Sequence, residues 1–175
     1  SQRVQFDFRN KTMSVTPSAK RHRDEAGTIV VTARARGGRL VLSRATADGF
    51  AVTIVLDTGS ELCIGNEALR AKLSRNLMRA YGKVELQSVT GATLAGEYTF
   101  LRELKFGGAG LKDVAIVFAN AHTFKQLGLE DEPALLLGMN AMRAFDLVTI
   151  DFAEKKLRLV VPRGRTFMDN SYAVQ

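Results

Sequence analysis

Several things are scarce in this 175-residue chain, and each shortage excludes something. Cys63 is the only cysteine, so no internal disulfide can form. It sits in the apolar context Leu62–Cys63–Ile64, which predicts a buried structural thiol rather than a nucleophile. Two histidines, His22 and His122, lie far apart and show no metal-ligand spacing. No zinc site, other metal or cofactor is therefore expected. No apolar run approaches the roughly 20 residues that span a bilayer. P-loop and dinucleotide fingerprints are absent. Gly107–Gly108–Ala109–Gly110 has the glycines of a phosphate cradle but neither the lysine nor the following helix, and reads as a hairpin loop.

Acidic residues are also few at the ends. The net charge is +7 and the pI about 9.9. In the first 23 residues Asp7 alone faces Arg3, Arg9, Lys11, Lys20, Arg21 and Arg23, and Arg163 and Arg165 lie near the other end. Such tails are usually solvated. The basic stretch lacks the aromatic interleaving of a single-strand binder, so no nucleic-acid partner is expected. The hydrophobic share of 46% and a mean hydropathy of −0.03 describe a single soluble domain with its own core. The compartment stays open, with a periplasmic or membrane-anchored soluble domain ahead of a cytoplasmic one. Membrane contact is expected only through a possible upstream segment, because the sequence does not begin with Met.

The most informative residues are Thr53–Ile54–Val55–Leu56–Asp57–Thr58–Gly59–Ser60. An apolar strand stops at a carboxylate, then supplies two hydroxyls around a glycine. A carboxylate at the end of a buried strand loses solvation and needs hydrogen bonds or a chemical role to offset that cost. The hydroxyls can donate, and the glycine lets backbone amides turn toward the carboxyl group. Asp-Thr-Gly after an apolar strand is the signature of an aspartic protease active-site loop, and it occurs once. Amide hydrolysis by acid–base chemistry needs two carboxyl groups, one to take a proton from water and one to give a proton. Two aspartates roughly 3 Å apart cannot both ionise and so share one proton. A single Asp-Thr-Gly is thus half a site, and the simplest completion is a homodimer with Asp57 of each subunit on a two-fold axis.

A second motif follows at the expected distance. Pro133–Ala134–Leu135–Leu136–Leu137–Gly138–Met139–Asn140 reads as a short buried strand ending in glycine. A helical turn at Ala141–Met142–Arg143–Ala144–Phe145 and an alternating strand from Asp146 through Asp151 to Phe152 come next. With both motifs in this order, residues 28–161 resemble the retropepsin-like aspartic proteases, particularly their bacterial members. The resemblance implies an all-β, closed-barrel acid-protease fold with one or two short helices and one lobe per chain. It implies that Leu137, Gly138 and Asn140 pack beside the Asp57 loop. It also implies Asp57 as the catalytic residue, with Thr58 reaching across to the partner loop, Gly59 bringing its N–H to the carboxylate, and Ser60 bonding the outer carboxyl oxygen. Met139 stands where viral members commonly carry a dimer-bracing arginine.

The remaining pattern is mostly β. Residues 1–26 are polar and read as an irregular basic arm or linker, 27–162 as the protease domain, and 163–175 as a tail. Strands are predicted at 28–33, 39–44 and 50–56, the last two joined by the turn signal Asp48–Gly49. Asn66 is a candidate N-cap for a helix with Leu69, Leu73 and Leu77 on one face, ended by Gly82. Residues 83–89 and 94–101 alternate like a hairpin around Thr90–Gly91–Ala92–Thr93, placed where the resemblance puts a substrate-covering flap. Strands at 114–118, 148–152 and 156–161 complete the set, with a short helix at 122–127. Asp151 lacks a following Thr-Gly and reads as an exposed strand position.

The expected activity is an aspartic endopeptidase, needing a homodimer and taking a peptide or protein substrate in extended form. The alternative is a non-catalytic retropepsin-like module that binds peptides or dimerises. The intact Asp57–Thr58–Gly59 argues against it, since a pure binding module has no use for a poorly solvated carboxylate. A basic nucleic-acid-binding β domain is a third reading, marked by salt-dependent binding.

Overall fold

The computed structural model describes residues 1–18, 23–73, 82–87, 91, 93–163 and 172–173. Its strands are β1 (Gln2–Asp7), β2 (Thr12–Pro17), β3 (Ile29–Thr32), β4 (Arg34–Arg36), β5 (Arg39–Ala47), β6 (Phe50–Leu56), β7 (Cys63–Gly65), β8 (Gly82–Gln87), β9 (Thr93–Phe106), β10 (Ala109–Phe118), β11 (Ala134–Leu137), β12 (Leu147–Asp151), β13 (Lys156–Val160) and β14 (Tyr172–Ala173). Among the described residues three short helices interrupt them: α1 (Glu67–Lys72), α2 (His122–Gln126) and α3 (Met139–Met142).

The larger sheet runs β14-β10-β7-β11-β6-β5-β9-β8, with β4 beside β5. Because β10 also pairs with β9, the path β10-β7-β11-β6-β5-β9 returns on itself. This is the mainly-β closed barrel that the sequence predicts. Most neighbours are antiparallel, but β6 and β11 run parallel, as do β7 and β10. The β6–β11 pair aligns Leu56 with Leu137 and so brings the carboxyl ends of both strands, with their two motifs, to one place.

These strands are continuous apolar runs because both faces are covered. Val52, Ile54 and Leu56 of β6 and Leu135 and Leu137 of β11 join the main core. Val55, Ala134 and Leu136 point the other way, into a second cluster closed by Phe124, Leu127 and Leu129. The turn before β6 is as predicted: Asp48 (φ 47°) and Gly49 (φ 85°) both take the left-handed conformation that a two-residue hairpin turn requires.

A second, five-stranded sheet has the order β2-β1-β12-β13-β3. It corrects two expectations. Residues 2–17 are not an irregular arm. They form a hairpin whose first strand pairs with β12, Arg3 opposite Asp151 and Phe6 opposite Val148. Their polar letters alternate with Val4, Phe6, Met13 and Val15, a period-two pattern obscured by the basic residues between. Nor is Asp151 exposed. Its side chain is fully buried and receives hydrogen bonds from Arg3 Nε (3.0 Å) and Nη2 (2.8 Å), Ser18 Oγ (2.6 Å) and the amides of Ala153 and Glu154. Burial pushes its carboxyl up, but these donors and the Arg3 charge outweigh burial and hold it at about 2.

The helix after Asn66 is shorter than its leucine spacing predicts. It ends at Lys72 with Leu73 as C-cap, and Gly82 opens β8 instead of closing a helix. Leu77 lies outside the described residues. Among those residues no helix is long and apolar enough to cross a membrane.

Candidate active site

Asp57 leaves β6 where its strand partner β11 also ends. The loop that follows is held by backbone bonds to the turn after β11. Asp57 N–H donates to Leu137 O (3.1 Å), Met139 N–H to Ser60 O (2.8 Å) and Asn140 N–H to Glu61 O (2.9 Å). Asn140 adds a side-chain brace. Its Oδ1 accepts from the Cys63 amide (3.0 Å) and thiol (3.2 Å), and its Nδ2 donates to Ala115 O (2.9 Å). Gly138 is required by space rather than by φ, which is −86°. A Cβ there would stand 2.5 Å from the backbone carbonyl of Leu62. The two motifs therefore fit only with a glycine between them, as the resemblance implies for Leu137, Gly138 and Asn140.

Asn66 supports the same assembly from the far side. Its Oδ1 caps α1 by accepting from Leu69 N–H (2.9 Å) and also takes Ala134 N–H (3.1 Å). Its Nδ2 donates to the carbonyls of Leu129 and Glu132, both at 2.8 Å. A buried amide with both ends filled fixes the approach to β11 as well as the start of the helix. Cys63 is the buried thiol expected, and burial pushes it up to about 12, where it has no nucleophilic character.

The carboxyl group itself is sparsely held. Oδ1 of Asp57 accepts the Gly59 N–H at 3.1 Å, as expected, and lies 3.6 Å from Nη1 of Arg39. The side chain retains 17% of its exposure. It opens onto a cavity of about 350 Å³ lined by Gly37, Gly38, Arg39, Leu40, Leu56, Thr58, Ile150 and Phe152. Among the described residues Asp57 is the one acid on that lining. Thr58, on that lining, and Gly59 after it are exposed. Ser60 departs from expectation: its hydroxyl donates to Leu62 O at 2.7 Å, shaping the loop and leaving the outer carboxyl oxygen alone.

Arg39 carries no motif that singles it out. The β5–β6 register pairs Val41 with Val55, and continuing it sets Arg39 opposite Asp57. Glu61, also in the loop, pairs with Arg143 just after α3, which holds its carboxyl below the usual range. This ion pair ties loop to helix from the exposed side.

Of the residues expected over the cleft, Gly91 is exposed in the connection between β8 and β9, with φ +83°. Thr90 and Ala92 lie outside the described residues. The hairpin itself is present, with Gly82 opposite Tyr98 and Gln87 opposite Thr93. Among the described residues no group of three or more His, Cys, Asp or Glu could hold a metal ion.

A strand-borne Asp-Thr-Gly loop, clamped to a glycine turn and facing an open cavity, is the acid-protease arrangement. The family model described as aspartyl protease matches residues 43–141, and the chain belongs to that family. Among solved structures, it is similar to a retropepsin-like aspartic protease from Rickettsia conorii. That match has 19% identity over 76% of this chain and 89% of the other, with a TM-score of 0.48. No curated protein sequence matches.

Proposed function

We propose that the chain is a retropepsin-like aspartic endopeptidase whose active site forms when two copies bring their Asp57 side chains together. The observation that carries this is the cavity lining: among the described residues it holds one carboxylate, which accepts one backbone amide, and no second acid. In the pair, an ionised Asp57 takes a proton from water as the water attacks the scissile carbonyl, and the protonated partner donates to the carbonyl oxygen. No acyl-enzyme forms, and no metal or cofactor takes part.

The clamp between the two motifs serves this chemistry by fixing Asp57 to within a fraction of an ångström. Thr58, exposed on the cavity lining, is placed to meet the partner loop. The β8–β9 hairpin acts as the flap around Gly91, and an extended peptide adds to it as a strand. In the lone chain Arg39 supplies the countercharge that the shared proton supplies in the pair. That contact also favours a second reading, a non-catalytic module in which Asp57 serves only as an ion-pair partner.

Cleavage of an unstructured protein at acidic to neutral pH separates the two. Activity that disappears in Asp57→Asn and Asp57→Ala, and is blocked by a statine-type transition-state mimic, supports the peptidase. Cleavage that survives either substitution contradicts it.

A further inference from the structure

The five-stranded sheet has one largely apolar face, with Gln2 its polar member. Residues directly opposite in antiparallel strands share a face, so the register places Met13 and Val15 of β2 with Phe6 and Val4 of β1, and these with Val148 and Ile150 of β12. Leu157 and Leu159 of β13 and Val31 and Ile29 of β3 continue it. Toward β3 this face is the buried core. Toward β2 it runs out past the body: Met13 is 62% exposed and Val15 49%. Phe152, two residues beyond Ile150, is 40% exposed and lines the Asp57 cavity. Thus three of the five large apolar side chains that stand exposed among the described residues border one surface. Beside that surface is a hollow of about 540 Å³ with apolar walls of Phe6, Phe8 and Met13 and polar ones of Asp7, Lys11, Thr12 and Arg143. Arg143 pairs with Glu61, so one hollow lies at each end of the Asp57–Glu61 loop.

We infer that this uncovered face, Phe152 with Val4, Phe6, Met13 and Val15, is the docking surface for a second copy of the chain. The inference rests on the dyad reading, and the occupant follows from it. A two-fold dimer of ordinary size buries about 800 Å² per partner, far more than the four residues of the 57–60 loop present. The apolar surface that begins in the Asp57 cavity is the nearest place to find the rest. On β1 and β2 that face carries no charge, which two copies each at +7 need at their contact. An isologous contact also suits it, since Met13 and Val15 stand out as knobs beside a hollow that a second copy's knobs can enter.

Sedimentation equilibrium of the full chain tests this without relying on activity. The double variant Met13→Glu/Val15→Glu should weaken self-association at least about tenfold. Val30→Glu, at an exposed position (41%) on the sheet's opposite face, should leave it unchanged. Thermal melts of all three proteins check folding, since every substituted side chain is exposed. Unchanged association in the double variant, or no association in the parent chain, overturns the inference. If Asp57-dependent cleavage persists with association unchanged, the dyad stands and this face does not. Loss of binding to phosphatidylglycerol vesicles in the double variant, with association unchanged, would make the occupant a membrane and also overturn it.

Discussion

Two aspartates end apolar strands in this molecule, and their surroundings are opposites. Asp151, beside the end of the β12–β13 ribbon, is fully buried and takes five donated hydrogen bonds, two of them from Arg3. Arg158 reinforces it, paired with Asp24 and Glu154 and 4.0 Å from Asp151 itself. Asp57, at the end of β6, keeps one backbone donor and one loose arginine contact, and faces an open cavity. Saturated acceptors cannot exchange protons with a substrate. Sparse ones can, provided the backbone around them is rigid. The fold spends its hydrogen bonds at Asp57 on the main chain of the loop, and at Asp151 on the carboxylate. The difference separates a carboxylate that fastens two parts of a sheet from one left available for chemistry.

Substitutions should therefore part along the same line. Asp57→Asn should lower cleavage by a thousandfold or more, about 4 kcal/mol of transition-state stabilisation, while thermal melts show little change in stability. Asp151→Ala should cost about 3–5 kcal/mol in chemical denaturation, because it strands Arg3 as a buried charge without its partner, while Arg158 keeps Asp24 and Glu154. Equal stability losses at the two sites would erase the contrast.

Acid sharpens it. Asp151 is held at about 2 against an ordinary 3.8. A depressed folded value means its stabilisation, roughly 2 kcal/mol, is fully present above the ordinary value and lost as pH falls through about 2. Stability curves of the parent chain should fall over that window, and those of Asp151→Asn should fall less. Gly138→Ala should cost about 1–3 kcal/mol through overlap with the Leu62 backbone. It should also reduce cleavage by displacing the loop, whereas any loss of cleavage in Asp151 variants should follow only from unfolding. The smallest effect belongs to Arg39→Gln. Its ion pair is long and partly exposed, and its loss should change stability by less than about 0.5 kcal/mol.

Much of the site could be read from residues alone because its determinants are local. An apolar strand stopping at Asp-Thr-Gly, and an apolar strand stopping at Gly138, are each contiguous, and the parallel β6–β11 pairing simply joins them. What escaped is non-local. Asp151 gives no sign of its partner because Arg3 lies 148 residues away, in a basic stretch whose charge reads as a solvated tail. Arg39 was hidden by a register shift. Counting back from the Asp48–Gly49 turn, where Ala47 faces Phe50, sets Leu40 opposite Asp57; the irregularity between Leu42 and Ala45 moves Arg39 there instead. The hydroxyl of Ser60 could have turned either way, and only the position of the Leu62 carbonyl decides it.

The requirement for two copies is tested most directly by mixing. Wild-type chain held at a fixed concentration is incubated with a tenfold excess of Asp57→Asn chain under exchanging conditions, and cleavage is measured. If each active site needs two Asp57 carboxyls, most wild-type chains pair with inactive partners and the rate falls about tenfold. A rate that ignores the added variant would mean a single chain suffices, and the account of a shared acid pair would be wrong.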